Sequence, residues 1–406
     1  MEIQKLLQIR REKGREIART NKVVLSGYKW LVPSQSSNKT FEVVLGLGNS
    51  KCNCPDFMER GLRCKHIFAV EITISKQINE DGTTTMTTTR RITYSQNWKA
   101  YNTAQINEQE LFMRLLADLY KDIEEPLYKF GRPRLQLKDM VFSSALKVYS
   151  TFSLRRFMGD TKTAVERGYL SRQSSFTAVG KYIQNDELTP ILRQLITISA
   201  MPLRSVETKF AIDSTGFRTT KFNDYCREKH QIHKEHRWIK AHLCCGVKTN
   251  IITSVQIGDE DSADSPQFIP LAQETYQNGF KISEMTADKA YSSRDNLAYI
   301  NSIGGMPYIP FKSNATRKSK GNDHIWRLMY DFFTFRREEF MEHYHNRSNI
   351  ESTNNMIKAK FTDLVRSKDE VAQKNEVLLK VLCHNIVVLI QEMHELGIEP
   401  KFYMGA

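Results

Sequence analysis

The spacing of apolar and polar positions changes character three times along the chain. From 23 to 75 short apolar runs alternate with turn residues. Lys22-Val23-Val24-Leu25 and Phe41-Glu42-Val43-Val44-Leu45 have strand composition, and Gly46, Gly48 and Asn49 supply a turn. Residues 76–95 hold Asn79-Glu80-Asp81-Gly82 and the threonine-rich stretch 83–89; they offer little to bury and read as linker. From about 105 to 200 the period becomes helical, with Leu111, Leu115 and Leu119 at i, i+4 and i+8. Helices are expected over roughly 137–152, 154–168 and 175–184, the last capped by Ser174-Ser175.

After 205 strands and helices alternate. A strand is expected over 209–212, and a hairpin joins 242–247 to 251–257 around Lys248-Thr249-Asn250. Ser265-Pro266 opens a helix, serine as N-cap and proline in the first turn. Two more strands are expected at 282–287 and 308–311, and a strongly apolar helix closes the pattern at 376–396. Three strands, a helix, two further strands and a late acidic helix make an RNase H-like order. The fold class expected is therefore α/β, a mixed sheet flanked by helices and preceded by a helical region and a small β-rich module.

On the late helix Tyr344, Arg347, Glu351 and Lys358 stand at offsets of 3, 4 and 7. At about 100° per residue they fall inside an arc of about 60°. Ile350, Ile357, Phe361 and Leu364 form a neighbouring apolar stripe, which gives the helix a buried face of its own. An acid flanked by two cations and a phenol suits a site that handles metal ions and phosphate together. Asp213 follows Phe210-Ala211-Ile212 and Asp288 follows Met285-Thr286-Ala287, so two strand-end acids are available to join Glu351. Three carboxylates suffice to hold Mg²⁺ or Mn²⁺, because such ions keep several waters. In-line phosphodiester cleavage uses two of them, about 3.5–4 Å apart, to neutralise the attacking and leaving oxygens.

Charge agrees with a polyanionic partner. Lys and Arg number 59 against 46 acids, giving +13 and an isoelectric point near 9.3, which favours nucleic acid over an anionic membrane. No apolar run approaches a bilayer span and the N-terminus lacks a signal-peptide core, so a soluble, cytoplasmic, DNA-associated protein is expected. Seven cysteines, three of them within 52–64, do not form a disulfide framework. Cys52-x-Cys54-x9-Cys64-x-His66 offers three thiolates and an imidazole, a closed tetrahedral set for one structural zinc ion.

These motifs resemble known families. The Cys-x-Cys…Cys-x-His spacing with a following helix at 67–72 is similar to the SWIM-type zinc finger, over roughly 40–75, and implies DNA or protein binding rather than catalysis. Asp213-Ser214-Thr215-Gly216, Trp238-Ile239-Lys240-Ala241-His242, Asp288-Lys289-Ala290-Tyr291 and the Tyr344-Arg347-Glu351-Lys358 helix resemble successive blocks of insertion-sequence DDE transposases, in the group with a Tyr-Arg-Glu-Lys signature.

The resemblance spans about 205–390 and implies a metal-binding catalytic triad of Asp213, Asp288 and Glu351. Tyr344, Arg347 and Lys358 would hold DNA phosphates; Lys240 and His242, which share one strand face beside the strand of Asp213, would on that ground support the acids or bind phosphate. It implies cleavage at the ends of a mobile element and strand transfer into target DNA, by a homodimer or higher assembly on double-stranded DNA, with no membrane partner. An inactive DNA-binding regulator and a nuclease without strand transfer are the alternatives.

The domains expected are 1–75 (a basic helix and zinc finger), 76–104 (linker), 105–204 (a helical region for DNA) and 205–396 (the catalytic domain). Arg155, Arg156, Arg167, Arg172 and Lys181 would serve either a helix-turn-helix array or a plain helical scaffold. Gly131-Arg132-Pro133-Arg134 fits a minor-groove segment or a Pro-led helix entry, and Trp326 a base-stacking or a core position. His230, His233 and His236 read as a basic DNA-facing loop; Asp259, Asp261 and Asp264 read as a hydrated acidic one, with Asp264 close enough to a helix start to cap it.

Overall fold

A computed structural model describes residues 2–20, 23–26, 29–35, 39–45, 50–73, 75–78, 84–87, 97–127, 130, 134–219, 238–259, 262–318 and 324–402. Gly46, Gly48, Asn49, the Gly131–Pro133 segment, Asp261 and the three histidines at 230, 233 and 236 lie outside the described residues. The chain divides into two compact units, 1–96 and 97–406.

The first unit opens with helix α1 (Glu2–Thr20). Strands β1 (Val24–Ser26), β2 (Lys29–Pro33), β3 (Thr40–Val44) and β4 (Lys51–Cys52) form an antiparallel sheet in chain order. Two short helices follow, α2 (Pro55–Arg60) and α3 (Lys65–Thr73), and then a hairpin of β5 (Ser75–Ile78) and β6 (Thr84–Thr87) inside the stretch expected as linker. Ile17, Trp30, Val32, Val43, Ile67 and Val70 form its core with the three cysteines. Gly14 lets α1 press onto α3, since a Cβ there would lie 2.7 Å from the Phe68 Cβ and 2.9 Å from the Lys65 carbonyl oxygen. Of the basic residues on α1, Arg10 is buried against Asp56 and the Arg63 carbonyl (3.1 Å), while Arg11, Lys13 and Arg15 are exposed.

In the second unit α4 (Trp98–Leu119) starts earlier than the apolar period indicates, with the Asn97 side chain accepting from Ala100 N at 3.2 Å. Its first turns bury only small or polar residues, Ala100, Ala104 and Glu108. Next come α5 (Leu137–Tyr149), α6 (Met158–Glu166), α7 (Phe176–Ile183) and α8 (Leu188–Ala200). The expected serine cap of α7 is present, Ser175 Oγ accepting from Ala178 N at 3.2 Å.

The central sheet uses β7 (Lys209–Arg218), β8 (Trp238–Gly246), β9 (Ile252–Asp259), β10 (Glu284–Ala287) and β11 (Met306–Tyr308) in the order β11-β10-β7-β8-β9. The first three are antiparallel, and β10 and β11 run parallel to β7. That is the RNase H-like mixed sheet expected from the element order. The remaining helices are α9 (Ser265–Gln277), α10 (Arg294–Ser302), α11 (His324–Phe335), α12 (Arg337–Tyr344), α13 (Ser348–Phe361) and α14 (Glu370–Glu395). On one face of the sheet α13 packs through Thr353 against Cys245 and Asn250; on the other, Ser254 Oγ of β9 donates to the Leu271 carbonyl of α9 at 2.8 Å. Helices α4, α5 and α8 share one hydrophobic core with this sheet.

Three local expectations are corrected. Strand β7 runs to Arg218, because Ser214–Arg218 keep pairing with β8; Asp213 therefore sits mid-strand. Asp264, not Ser265, occupies the N-cap position of α9, and its side chain makes no cap hydrogen bond. Helix α14 is long and apolar enough to cross a bilayer, contrary to the expectation, but 78% of that stretch is buried. Its apolar side chains are used inside the protein.

Candidate active site and metal centre

The sheet register brings two of the expected acids together. Strand β10 ends at Ala287, opposite Ile212 of β7, so Asp213 and Asp288 are the next residues on adjacent parallel strands. Asp288 opens the single 3-10 turn Lys289–Tyr291, and its carboxylate accepts from Lys289 N. The third acid arrives from the far end of the chain. Arg347 Nη1 lies 2.6 Å from Glu351 Oε1, and Arg347 Nη2 lies 3.4 Å from Asp213 Oδ2. One guanidinium thus joins carboxylates on β7 and α13.

The expected continuous helix from Tyr344 to Lys358 is interrupted. Helix α12 ends at Tyr344, a 3-10 turn covers His345–Arg347, and α13 begins at Ser348. His345-Asn346-Arg347-Ser348 includes weak helix formers, which explains the break. Tyr344 is fixed instead by the docking of α12. Phe340 is fully buried, and His343 lies 3.1 Å from Glu284 of β10 while stacking on Tyr308 of β11 with ring centroids 4.3 Å apart. Ile350, Ile357 and Phe361 form the buried face of α13, whereas Leu364 lies past its end, in a bridge to Arg218.

The electrostatics fit an acid site with one internal counterion. Burial raises the Asp213 carboxyl above its usual range, and Arg347 opposes that shift. Burial alone would lower Arg347, but Asp213, Tyr344, Glu351 and Asp288 outweigh it and keep it firmly protonated. The Tyr344 phenol is raised by burial and by Asp288. Burial lowers Lys358, whose ammonium lies 5.8 Å from the Phe217 ring centroid and feels Asp363 and Asp213. The Glu351 side chain is 54% exposed against 16% for Asp213, so the site opens to solvent on the α13 side.

The three acids do not by themselves gather as tightly as metal ligands. Among the described residues one group of His, Cys, Asp or Glu closes to within 4.8 Å, and it is Cys52, Cys54, Cys64 and His66. In the acid site the Arg347 guanidinium supplies the positive charge between Asp213 and Glu351. The donor set, carboxylates alone around a half-open site, suits hard divalent ions such as Mg²⁺ or Mn²⁺.

Lys240 and His242 are not brought to the three acids' side. Asp213 pairs with Leu243 and Ser214 with His242, so these two residues share the face of Ser214, opposite Asp213. Lys240 Nζ lies 2.8 Å from Asp264 Oδ1 and 3.0 Å from the Ser262 carbonyl. His242 is fully buried, its Nδ1 3.5 Å from Asp264 Oδ1 and 3.4 Å from the Tyr291 hydroxyl. Burial holds its pKa below the usual histidine value. Trp326 is a core residue, donating to the Thr316 carbonyl at 3.0 Å and packing on Phe311. Cys244 and Cys245 are fully buried.

In the first unit the metal-ligand set is built on β4 and the two short helices. Cys54 precedes α2, whose first residue is Pro55 and whose end is turned by Gly61 at φ 63°. His66 Nδ1 lies 3.9 Å from both Cys52 and Cys64 Sγ, and Cys54 N points at Cys52 Sγ from 3.4 Å. The two 3.9 Å ligand-to-ligand separations are close to the edges of a tetrahedron with zinc–ligand bonds of about 2.0–2.3 Å. Hydrogen bonds from Cys52 and His66 pull the Cys64 thiol down to about 4, while burial raises Cys54.

The second unit is an RNase H-like α/β fold, and residues 204–386 match the family model described as a transposase DDE domain. Residues 41–75 match the SWIM zinc finger. The first match contains Asp213, Asp288 and Glu351, and the second contains Cys52, Cys54, Cys64 and His66. No curated protein matches the sequence. A solved structure titled as a cryo-EM piggyBac transposase synaptic complex with hairpin DNA is similar at 10% identity and a TM-score of 0.35, covering 75% of this chain and 77% of that one.

Sequence reasoning quoted Ser214 and Tyr291 within motifs but gave them no role. The available signal was an aromatic residue at the end of the single turn that follows a strand-end acid, where Tyr291 is buried.

Proposed function

We propose that this chain is an active DNA transposase of the Tyr-Arg-Glu-Lys group. Asp213, Asp288 and Glu351 would hold two divalent ions, and Cys52, Cys54, Cys64 and His66 one structural zinc. The observation that carries the reading is the ion-paired link from Asp213 through Arg347 to Glu351, which joins two of the three acids across 138 positions of sequence.

The bound ions would supply the positive charge that phosphodiester displacement needs at the entering and leaving oxygens. Arg347 keeps the carboxylates from repelling one another in the free protein and presents a planar donor fork to a DNA phosphate. Tyr344 and Lys358 flank it with a phenol and an ammonium, which fix a strand end in register without reading its sequence. Hydrolysis at the ends of a mobile element, followed by attack of the freed 3′-hydroxyl on target DNA, is the reaction this set would serve. It would act as a dimer or larger assembly on DNA, in the cytoplasm. The exposed Arg155, Arg156, Arg167, Arg172 and Lys181 add a basic surface for phosphates.

A nicking and joining assay with Mg²⁺ tests this reading. Wild type should cut and join, and Asp213→Ala should do neither. Cutting by the mutant at the wild-type rate would reject the triad. Cutting without joining would favour a nuclease, and inactivity of both proteins would favour a DNA-binding regulator.

A further inference from the structure

The acid site has a polar floor that the expected triad leaves unexplained. Tyr291 ends the 3-10 turn begun by Asp288, with its amide donating to the Asp288 carbonyl at 2.9 Å. Its ring is 1% exposed and packs on Phe268 of α9, with centroids 6.0 Å apart. Asn296 Nδ2 donates to the Tyr291 carbonyl at 2.7 Å, so the turn is held from its far side as well. The buried hydroxyl lies 3.4 Å from His242 Nδ1 of β8 and interacts with Ser214, the β7 residue that pairs with His242 and follows Asp213. His242 is in turn oriented by Asp264, which Lys240 neutralises at 2.8 Å.

One phenol therefore ties the turn carrying Asp288 to the strand carrying Asp213. Strand β10 stops at Ala287, so no backbone ladder continues between the two acids. Beyond that point the side-chain link through Tyr291 takes over the task of fixing their separation. From this juxtaposition we infer that Tyr291, seated on Ser214 and on the His242–Asp264 pair, is a positioning residue that sets the gap between Asp213 and Asp288 and so the affinity of the acid site for divalent ions. The inference rests on the transposase reading of those two acids and adds residues to it. Residues that orient metal ligands from behind typically change metal affinity by about 10–100-fold when removed.

The test is Mn²⁺ binding by the full-length, zinc-loaded chain without DNA, followed by calorimetry or by the electron paramagnetic resonance of free Mn²⁺. Tyr291→Phe keeps the ring and its packing and removes the hydroxyl; Ser214→Ala removes its partner from β7. Both should weaken Mn²⁺ binding about 10-fold, with melting temperature and DNA affinity in the absence of metal unchanged. Asp288→Ala should abolish the binding. Wild-type Mn²⁺ affinity in both Tyr291→Phe and Ser214→Ala overturns the inference and leaves the triad standing. Weakening that only follows a lower melting temperature also overturns it, because the residue would then be structural. Absence of Mn²⁺ binding by wild type overturns the reading of the acids itself.

Discussion

Arg347 reaches Asp213 across 134 residues of chain, 3.4 Å away, while its other nitrogen holds Glu351 one helical turn on. Both Asp213 and Arg347 are largely buried, so this pair is shielded from solvent more than a surface ion pair is. Removing the arginine leaves two neighbouring carboxylates without their counterion. Arg347→Ala should therefore cut strand cleavage by about 100-fold or more. Arg347→Lys should recover little of it, because an ammonium lacks the planar fork. Cleavage rates on a defined DNA end check this; near-wild-type activity of the lysine variant would show that the fork is dispensable.

Lys358 tests the phosphate-binding role separately from the chemistry. Lys358→Ala should weaken DNA binding at every sequence alike and lower the slope of log affinity against log salt by about 1. A salt titration by fluorescence anisotropy measures it, and an unchanged slope would remove Lys358 from the phosphate contacts.

The zinc set makes a stability prediction. Cys54→Ser should lose about one zinc ion per chain by elemental analysis, and chelation should abolish the cooperative melting of the first unit. Undiminished zinc in the variant would reject the ligand assignment.

Gly14 offers a packing test in the same unit. Gly-to-Ala inside a helix ordinarily stabilises by about 1 kcal/mol. Here the new methyl would press on Phe68 and the Lys65 carbonyl, so Gly14→Ala should destabilise the first unit by about 1–3 kcal/mol instead. Denaturant unfolding of the zinc-loaded protein gives the sign.

His384 gives a pH prediction. It is buried on α14, its Nε2 2.9 Å from the Asn250 carbonyl in the β8–β9 turn, and burial pushes its pKa from 6.5 down to about 4. Between those values the unfolded chain binds the proton and the folded chain does not, so stability rises with pH through the window and is lost on acidification. The full effect is about 3 kcal/mol between pH 6.5 and pH 4. His384→Gln keeps a donor for Asn250 and should remove that share of the acid sensitivity; an unchanged pH profile would contradict it.

The positions of several candidate residues were legible in the sequence, and what was not legible has physical causes. Asp288 was legible because a short apolar strand ends in an acid and then a turn. The zinc ligands were legible because their spacing is itself the geometry. The extent of β7 was hidden because Ser214-Thr215-Gly216 looks like a turn when its partner strand is unknown. Lys240 and His242 share one face of β8 beside the strand of Asp213, as their spacing requires; that this face is opposite Asp213 is decided by hairpin register, which no local pattern specifies. The start of α4 was missed because small alanines, rather than large apolar residues, form its first buried turns. The break after Tyr344 was missed because a 3-10 turn barely disturbs helical spacing.

Whether Asp213, Asp288 and Glu351 together hold divalent ions can be read from the anomalous scattering of Mn²⁺ in crystals of the full chain. Manganese should be bound by all three carboxylates, with the Arg347 guanidinium displaced from between Asp213 and Glu351. Crystals grown in saturating Mn²⁺ with no manganese at these acids, and with Arg347 still bridging them, would contradict it.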